Sequence, residues 1–178
     1  AYEQTSDSLS SLEGFFAKKI ILVEGESEAL ILPYFFDQLG YFDYVRENIS
    51  IVKCGGKSEL DRFYRLYSEF GIPCYIIFDG DRHNGNSEIV KNEVIFDVLG
   101  IEESPDFPDN EVYPNYLGFA YDFNHSLEEA GFEDVYNQNR PDRSPKGFTL
   151  FQKVKYQIEE EEKEIPSWVH QVVLNLLR

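Results

Sequence analysis

Four acidic residues stand at spacings that could do chemistry: Glu24 and Glu28 in VEGESEA, and Asp79 and Asp81 in IIFDGDR. Carboxylates at i and i+4 on a helical turn lie about 5 to 6 Å apart, and residues at i and i+2 on an extended segment face the same way. If the two motifs share an edge, their crowded like charges raise one another's pKa unless a cation neutralises them. Hard carboxylate oxygens, with bound water, suit Mg2+ or Mn2+. The plainer alternative makes Glu24 and Glu28 helix N-terminal charges favoured by the dipole, and Asp79-Gly80-Asp81 a turn. Two acidic motifs at matching strand ends favour the cation.

The elements that must position these acids can be read from the apolar pattern. Ile20 to Val23 is a short apolar run ending in an acid and a glycine, as a buried parallel strand does at its carboxyl edge. ESEALILPYFFDQLG follows as a helix, with Pro33 a kink or break and Gly40 a stop. A second strand is predicted over 48 to 56, an amphipathic helix over 58 to 71 with Ser58 as N-cap, and a third strand in IPCYIIFDGD. After a loop RHNGNS, a helix spans 88 to 99, LGFAYDF at 117 to 123 makes a fourth strand, and HSLEEAG a helical turn. A loop at 137 to 147 precedes a helix over 148 to 164 and the apolar segment PSWVHQVVLNLLR. Such alternation builds a parallel sheet with helices on both faces, and in such sheets ligands bind at the carboxyl ends of the strands.

Composition narrows the classes. The chain has 178 residues, 42% of them hydrophobic, enough for one core. No apolar run is long enough for a membrane span and the N-terminus lacks a signal peptide's regions, so a cytoplasmic protein is expected. Cys54 and Cys74 lack CxxC spacing and read as core thiols. A net charge of −17 repels phosphates unless basic residues cluster or metal ions intervene. No methionine occurs, so the chain is expected to be a piece of a larger protein.

IILVEGESEALILP, then GGKSELDRF, then IPCYIIFDGD resembles a Toprim domain, the topoisomerase-primase metal fold, and is similar to the C-terminal nuclease part of overcoming lysogenization defect (OLD) family ATP-dependent endonucleases. The resemblance covers roughly 17 to 178 and is strongest over 20 to 81. It implies a Toprim (Rossmann-like) α/β fold with a parallel four-stranded sheet and a C-terminal helical segment: a linker at 1–14, a catalytic core at 15–135, and a segment at 136–178 completing the site. It further implies a metal-dependent DNA endonuclease or nickase hydrolysing phosphodiester bonds with two Mg2+ or Mn2+ ions, in DNA repair or phage defence. An N-terminal ABC-type ATPase domain of the same polypeptide is implied as partner, and a homodimer could cut both strands.

Carried over by position, Glu24 would bind metal or act as general base, with Glu28, Asp79 and Asp81 as further ligands. A fifth acid after the next strand would be Glu128, with Glu129 and Glu111 as weaker choices; the catalytic lysine would be Lys146, ahead of Lys153 and Lys155. Lys57, Arg82, Arg140, Arg143 and Lys146 are the candidate DNA contacts, though Lys57 could equally pair with a carboxylate.

Other readings carry less. CGGKS is no Walker motif, because Ile51 stands where the first glycine belongs. FDGD resembles the nucleophile motif of haloacid-dehalogenase phosphatases, but Arg82 follows where that family expects Thr or Val. A non-enzymatic, Mg2+-binding, receiver-like interaction module would use the same acids but leaves Glu24 with Glu28 unexplained. His83 could approach a phosphate. Tyr113, Tyr116, Phe119, Tyr121 and Phe123 read as core before base-stacking platforms.

Overall fold

The computed structural model describes residues 12–133 and 146–178. Strands β1 (Lys19–Val23), β2 (Ile49–Lys53), β3 (Cys74–Asp79) and β4 (Tyr116–Phe119) form one parallel sheet in the order β2-β1-β3-β4. Helices α1 (Glu26–Leu39), α2 (Lys57–Glu69), α3 (Ile89–Val98), α4 (Phe123–Glu129), α5 (Lys146–Glu161) and α6 (Ser167–Leu176) cover both faces, with a 3-10 helix at Arg82–Glu88. This is the α/β architecture expected from the sequence.

β1 is apolar on both sides because both sides are covered. Ile21, Val23, Tyr75, Ile77, Leu117 and Phe119 face α1, α4, α5 and α6, while Ile20, Leu22, Ile76, Phe78 and Tyr116 face α2 and α3. Each fully buried large side chain contributes roughly 1.5 to 3 kcal/mol. Trp168 of α6 packs its ring against Phe119, Phe123 and Phe35, with centroids 5.4, 6.0 and 6.1 Å apart. The C-terminal helices therefore share the core of the sheet. Among the described residues, no helix is long and apolar enough to cross a membrane.

The buried stripe of α1 is Glu28, Ile31, Leu32, Phe35 and Phe36, a regular helical face whose first member is charged. Pro33 lies inside this helix without ending it; four large buried side chains outweigh its cost of about 3 kcal/mol. In α2 the stripe Lys57, Leu60 and Tyr67 likewise begins with a charge. That helix is capped by Gly56, not by Ser58: Gly55 and Gly56 adopt φ of 89° and 134°, a turn that only glycine makes cheaply, and the helix starts one residue early.

Three other boundaries differ from expectation. RHNGNS is helical, not a loop. The fourth strand stops at Phe119 because the Ala120 N–H turns to Asn110 Oδ1 at 2.6 Å, and Asp122 already caps α4 by accepting from the His125 N–H at 2.8 Å. α5 begins at Lys146 and stops at Glu161, just before Glu162 at φ 56°.

One close approach seats α5 on α1. A Cβ on Gly147 would lie 2.8 Å from Glu26 Cγ and 2.9 Å from its Cβ, so glycine permits the two helix starts to touch. Gly147→Ala should lower stability by about 1 to 3 kcal/mol, read as a lower urea midpoint with an unchanged slope.

Candidate metal centre

Val23 pairs with Ile77, so Glu24 and Asp79 leave the sheet at adjoining positions. The Asp79 N–H donates to Glu24 Oε1 at 3.0 Å, and Asp79 Oδ1 accepts from the Phe123 N–H at 2.9 Å. The N-termini of α1 and α4 thus flank the same sheet edge. Glu28 enters from the first turn of α1 and is buried. Glu24, Glu28 and Asp79 line one open cleft of about 530 Å3 together with Lys53, Phe123, Asn124, Lys146 and the glycines Gly25, Gly55, Gly56 and Gly147.

Glu24 also lines a second cleft, of about 490 Å3, with Lys57, Asp61, Asp81, Glu88 and Lys91. Here Asp81 takes a left-handed backbone conformation, φ 54°, and its Oδ2 accepts from Lys57 Nζ at 2.8 Å. Lys57 is only 6% exposed and also donates to Glu88 at 3.1 Å, while Lys91 reaches Glu88 at 2.7 Å. Of the two places open to Lys57, the carboxylate pair is the one it takes; a buried ammonium between two acids does not present itself to DNA. Asp81 is thereby held towards the second cleft, separated from the first by Glu24.

Electrostatics mark the first cleft. Burial pushes the Glu24 pKa up to about 8, opposed by Lys57 and by the Asp79 N–H, and reinforced by Glu28 and Asp81. Asp79 is held well above the usual carboxylate range, first by burial, then by Glu28, Glu24, Asp122 and Asp81. Glu28 is raised by burial and by Asp122, against the backbone N–H groups of Gly25 and Glu28 and the positive charge of Lys146. In the second cleft Glu88 is lowered instead, chiefly by its hydrogen bond to Lys91 and then by Lys57.

The remaining expected positions divide. Lys146 does lie at the cleft, on the first residue of α5. Glu128 is exposed and faces His125 at 3.8 Å, and Glu129 faces the same imidazole at 3.5 Å; neither lines the cleft. Glu111 is exposed as well. The acid after β4 that acts on Asp79 and Glu28 is Asp122, hidden from sequence reasoning because LGFAYDF read as strand throughout. Its signal was the capping pattern Asp122-x-x-His125. Arg82 lies over the rings of Phe107 and Tyr121, 5.2 and 5.9 Å from their centroids. Arg140 and Arg143 fall outside the described residues.

Do these residues fit a cation? The donors in the first cleft are hard carboxylate oxygens whose ionised forms are only partly compensated, which suits Mg2+ or Mn2+. Among the described residues no group of three or more His, Cys, Asp or Glu side chains is placed, as they stand, to hold a metal ion by themselves. Coordination would therefore combine a few protein oxygens with water, as is usual for Mg2+.

Two measurements follow from this geometry. Lys57→Met leaves the half-buried Asp81 without its ammonium and the buried Glu88 with Lys91 alone, and should destabilise the fold by about 3 kcal/mol; adding Glu88→Gln should recover part of that loss in urea unfolding. Folding raises the Glu24 pKa from 4.5 to about 8, so the folded chain keeps a proton that the unfolded chain releases. That stability is complete below about pH 4.5 and is lost as pH rises through about 8. Urea midpoints in EDTA should fall between about pH 5 and about pH 8, and fall less for Glu24→Gln.

Comparison with known proteins agrees with this layout. Residues 15–81 match the family model described as "Overcoming lysogenization defect protein-like, TOPRIM domain". No protein of curated function matches the chain. The C-terminal region of the Xanthomonas campestris pv. campestris OLD protein superposes with a TM-score of 0.50 at 18% identity, over 92% of this chain and 80% of that one. The C-terminal region of the Burkholderia pseudomallei OLD protein superposes with a TM-score of 0.48 at 16% identity, over 90% and 82% of the two chains. At 18% identity the first likeness establishes the fold and nothing further. The segment 15–81, which holds Glu24, Glu28, Asp79 and Asp81, is thus similar to the Toprim domain of overcoming lysogenization defect-like proteins.

Proposed function

We propose that this chain is the nuclease part of an ATPase-nuclease, hydrolysing phosphodiester bonds in DNA with one or two divalent cations held by Glu24, Glu28 and Asp79, and with Asp81 and Asp122 near the same edge. The observation that carries this reading is the sharing of one open cleft by the buried Glu28, the half-buried Glu24, Asp79 and Glu26, and two lysines, Lys53 and Lys146. Acids alone would repel a phosphate, and lysines alone would only bind one. Acids that gather cations, beside ammonium groups that neutralise a substrate oxygen, make a site for cutting a phosphodiester.

A divalent cation bound there supplies Lewis acidity and neutralises charge on the scissile phosphate. The chain's own residues supply the rest. Glu24, with one oxygen held by the Asp79 N–H, would take a proton from the attacking water once a bound cation has displaced its own. The Asp79 and Phe123 backbone groups fix the two acids, so that no reorganisation is needed when charge develops. Lys146, on a helix start seated against Glu26, places a positive charge where a phosphate would enter. Arg82, Arg140 and Arg143 remain the proposed contacts to the DNA backbone. An ABC-type ATPase domain on the same polypeptide is the proposed source of DNA capture and of the trigger, which suits a domain at −17.

The test is cleavage of supercoiled plasmid in Mg2+ or Mn2+ against EDTA, with a phosphomonoester substrate alongside. Metal-dependent nicking or linearisation is expected, lowered at least about a hundredfold by Glu24→Ala and Asp79→Ala. Lys146→Ala should lower cleavage about tenfold to a hundredfold while calorimetric Mn2+ binding persists. Absence of divalent-ion binding, or hydrolysis of the monoester alone, would overturn the reading.

A further inference from the structure

Asn124 lines the acidic cleft with Glu24, Glu28, Asp79 and Lys146 and is only 7% exposed, yet among the described residues its Oδ1 has no hydrogen-bond partner. Buried amide oxygens are almost always bonded, and leaving one unbonded costs about 1 to 3 kcal/mol. Asn92 offers a contrast within the same molecule: its Oδ1 is also unpartnered, but its Nδ2 ties the Gly80 and Asp106 carbonyls at 3.0 and 3.1 Å, which accounts for its burial. No such tie accounts for Asn124. It sits one residue after Phe123, whose N–H holds Asp79, so the same short stretch of α4 fixes an acid and brings the Asn124 side chain to the cleft wall, its oxygen buried just beneath the surface.

We infer that Asn124 is a further oxygen donor to the divalent cation of this cleft, contributing a neutral ligand where another carboxylate would add to the repulsion. This rests on the reading that the acids bind such a cation. The chemistry is specific: an amide carbonyl is a hard ligand of the kind Mg2+, Mn2+ and Ca2+ accept. It adds a coordination bond without raising the negative charge of a site that already gathers Glu24, Glu28, Asp79 and Asp122. An acid at this position would bind the cation more tightly but would cost the metal-free fold more.

The test is calorimetric titration of the chain with MnCl2, together with metal-free melting temperature, for the wild type, Glu24→Gln, Asn124→Ala and Asn124→Asp. Asn124→Ala should weaken Mn2+ binding about tenfold or more while its metal-free melting temperature stays the same or rises, since the unpartnered oxygen is gone. Asn124→Asp should melt lower without metal and bind Mn2+ at least as tightly as the wild type. If the wild type binds Mn2+, Glu24→Gln does not, and Asn124→Ala binds like the wild type, this inference alone falls. If Asn124→Ala melts lower and Asn124→Asp fails to restore binding, Asn124 is a packing residue and the inference again falls. A wild type that binds no Mn2+ overturns both this inference and the cation reading beneath it.

Discussion

Removing carboxylates from water at the carboxyl edge of a parallel sheet is the constraint that organises this molecule. An ionised acid taken into a low-dielectric site costs several kcal/mol unless something compensates it. The compensation here is largely backbone. Glu24 receives the Asp79 N–H, Asp79 receives the Phe123 N–H, and Glu28 is supported by the amides of Gly25 and its own residue. The Asp79 N–H is free for Glu24 at the last residue of β3, and the amides of Phe123, Gly25 and Glu28 are free because helix starts have N–H groups with no intrahelical partner. The compensation is incomplete, as the raised pKa values of all three acids show. An edge built this way is stable enough to fold and unsatisfied enough to want a cation.

The same logic explains the two charged starts of the buried helix stripes. Glu28 heads the stripe of α1 on one face of the sheet and Lys57 heads that of α2 on the other. Large apolar residues farther along each helix hold the charged first turn against the sheet edge, so packing energy is spent on placing a charge. Lys57 is then locked between Asp81 and Glu88, and its field opposes the rise of the Glu24 pKa. Lys146 differs in kind. It is exposed, and its place depends on α5 meeting α1 at Gly147. One lysine is fixed and structural; the other faces the cleft where substrate would arrive.

This division decides what could be read from the sequence. The strands and the motifs at Glu24, Glu28, Asp79 and Asp81 were legible because apolar runs ending in acids are local patterns. Which acids share a cleft was not, since Asp81 turns towards Lys57 through a left-handed residue that no spacing rule anticipates. The acid after β4 was misplaced for a physical reason. Phe119, Tyr121 and Phe123 alternate like a strand, yet the Ala120 amide turns away to Asn110, ten residues back, and the chain enters α4 early. Asp122 then becomes the cap, Asn124 turns up in the cleft, and Glu128 and Glu129 rotate out to His125. A non-local hydrogen bond moved four side chains at once.

The net charge and the buried acids bear on substrate in the same direction. A chain at −17 has no long-range attraction for a polyanion. Positive charge at the cleft must therefore come from Lys53 and Lys146, from bound cations, or from a neighbouring domain. Cations that bind only the folded edge stabilise it by mass action, and they displace protons that the raised pKa values would otherwise retain. Under the proposed function, occupancy, stability and local charge would change together: a cation that relieves repulsion among Glu24, Glu28 and Asp79 would also make the cleft receptive to a phosphate. A substrate phosphate that contacts both the cation and Lys146 would in turn tighten the cation, because linkage between two ligands of one site is reciprocal. Under the proposed function, the unsatisfied charge at the sheet edge would thus act as a coupling device, making the site receptive to phosphate once a cation has bound.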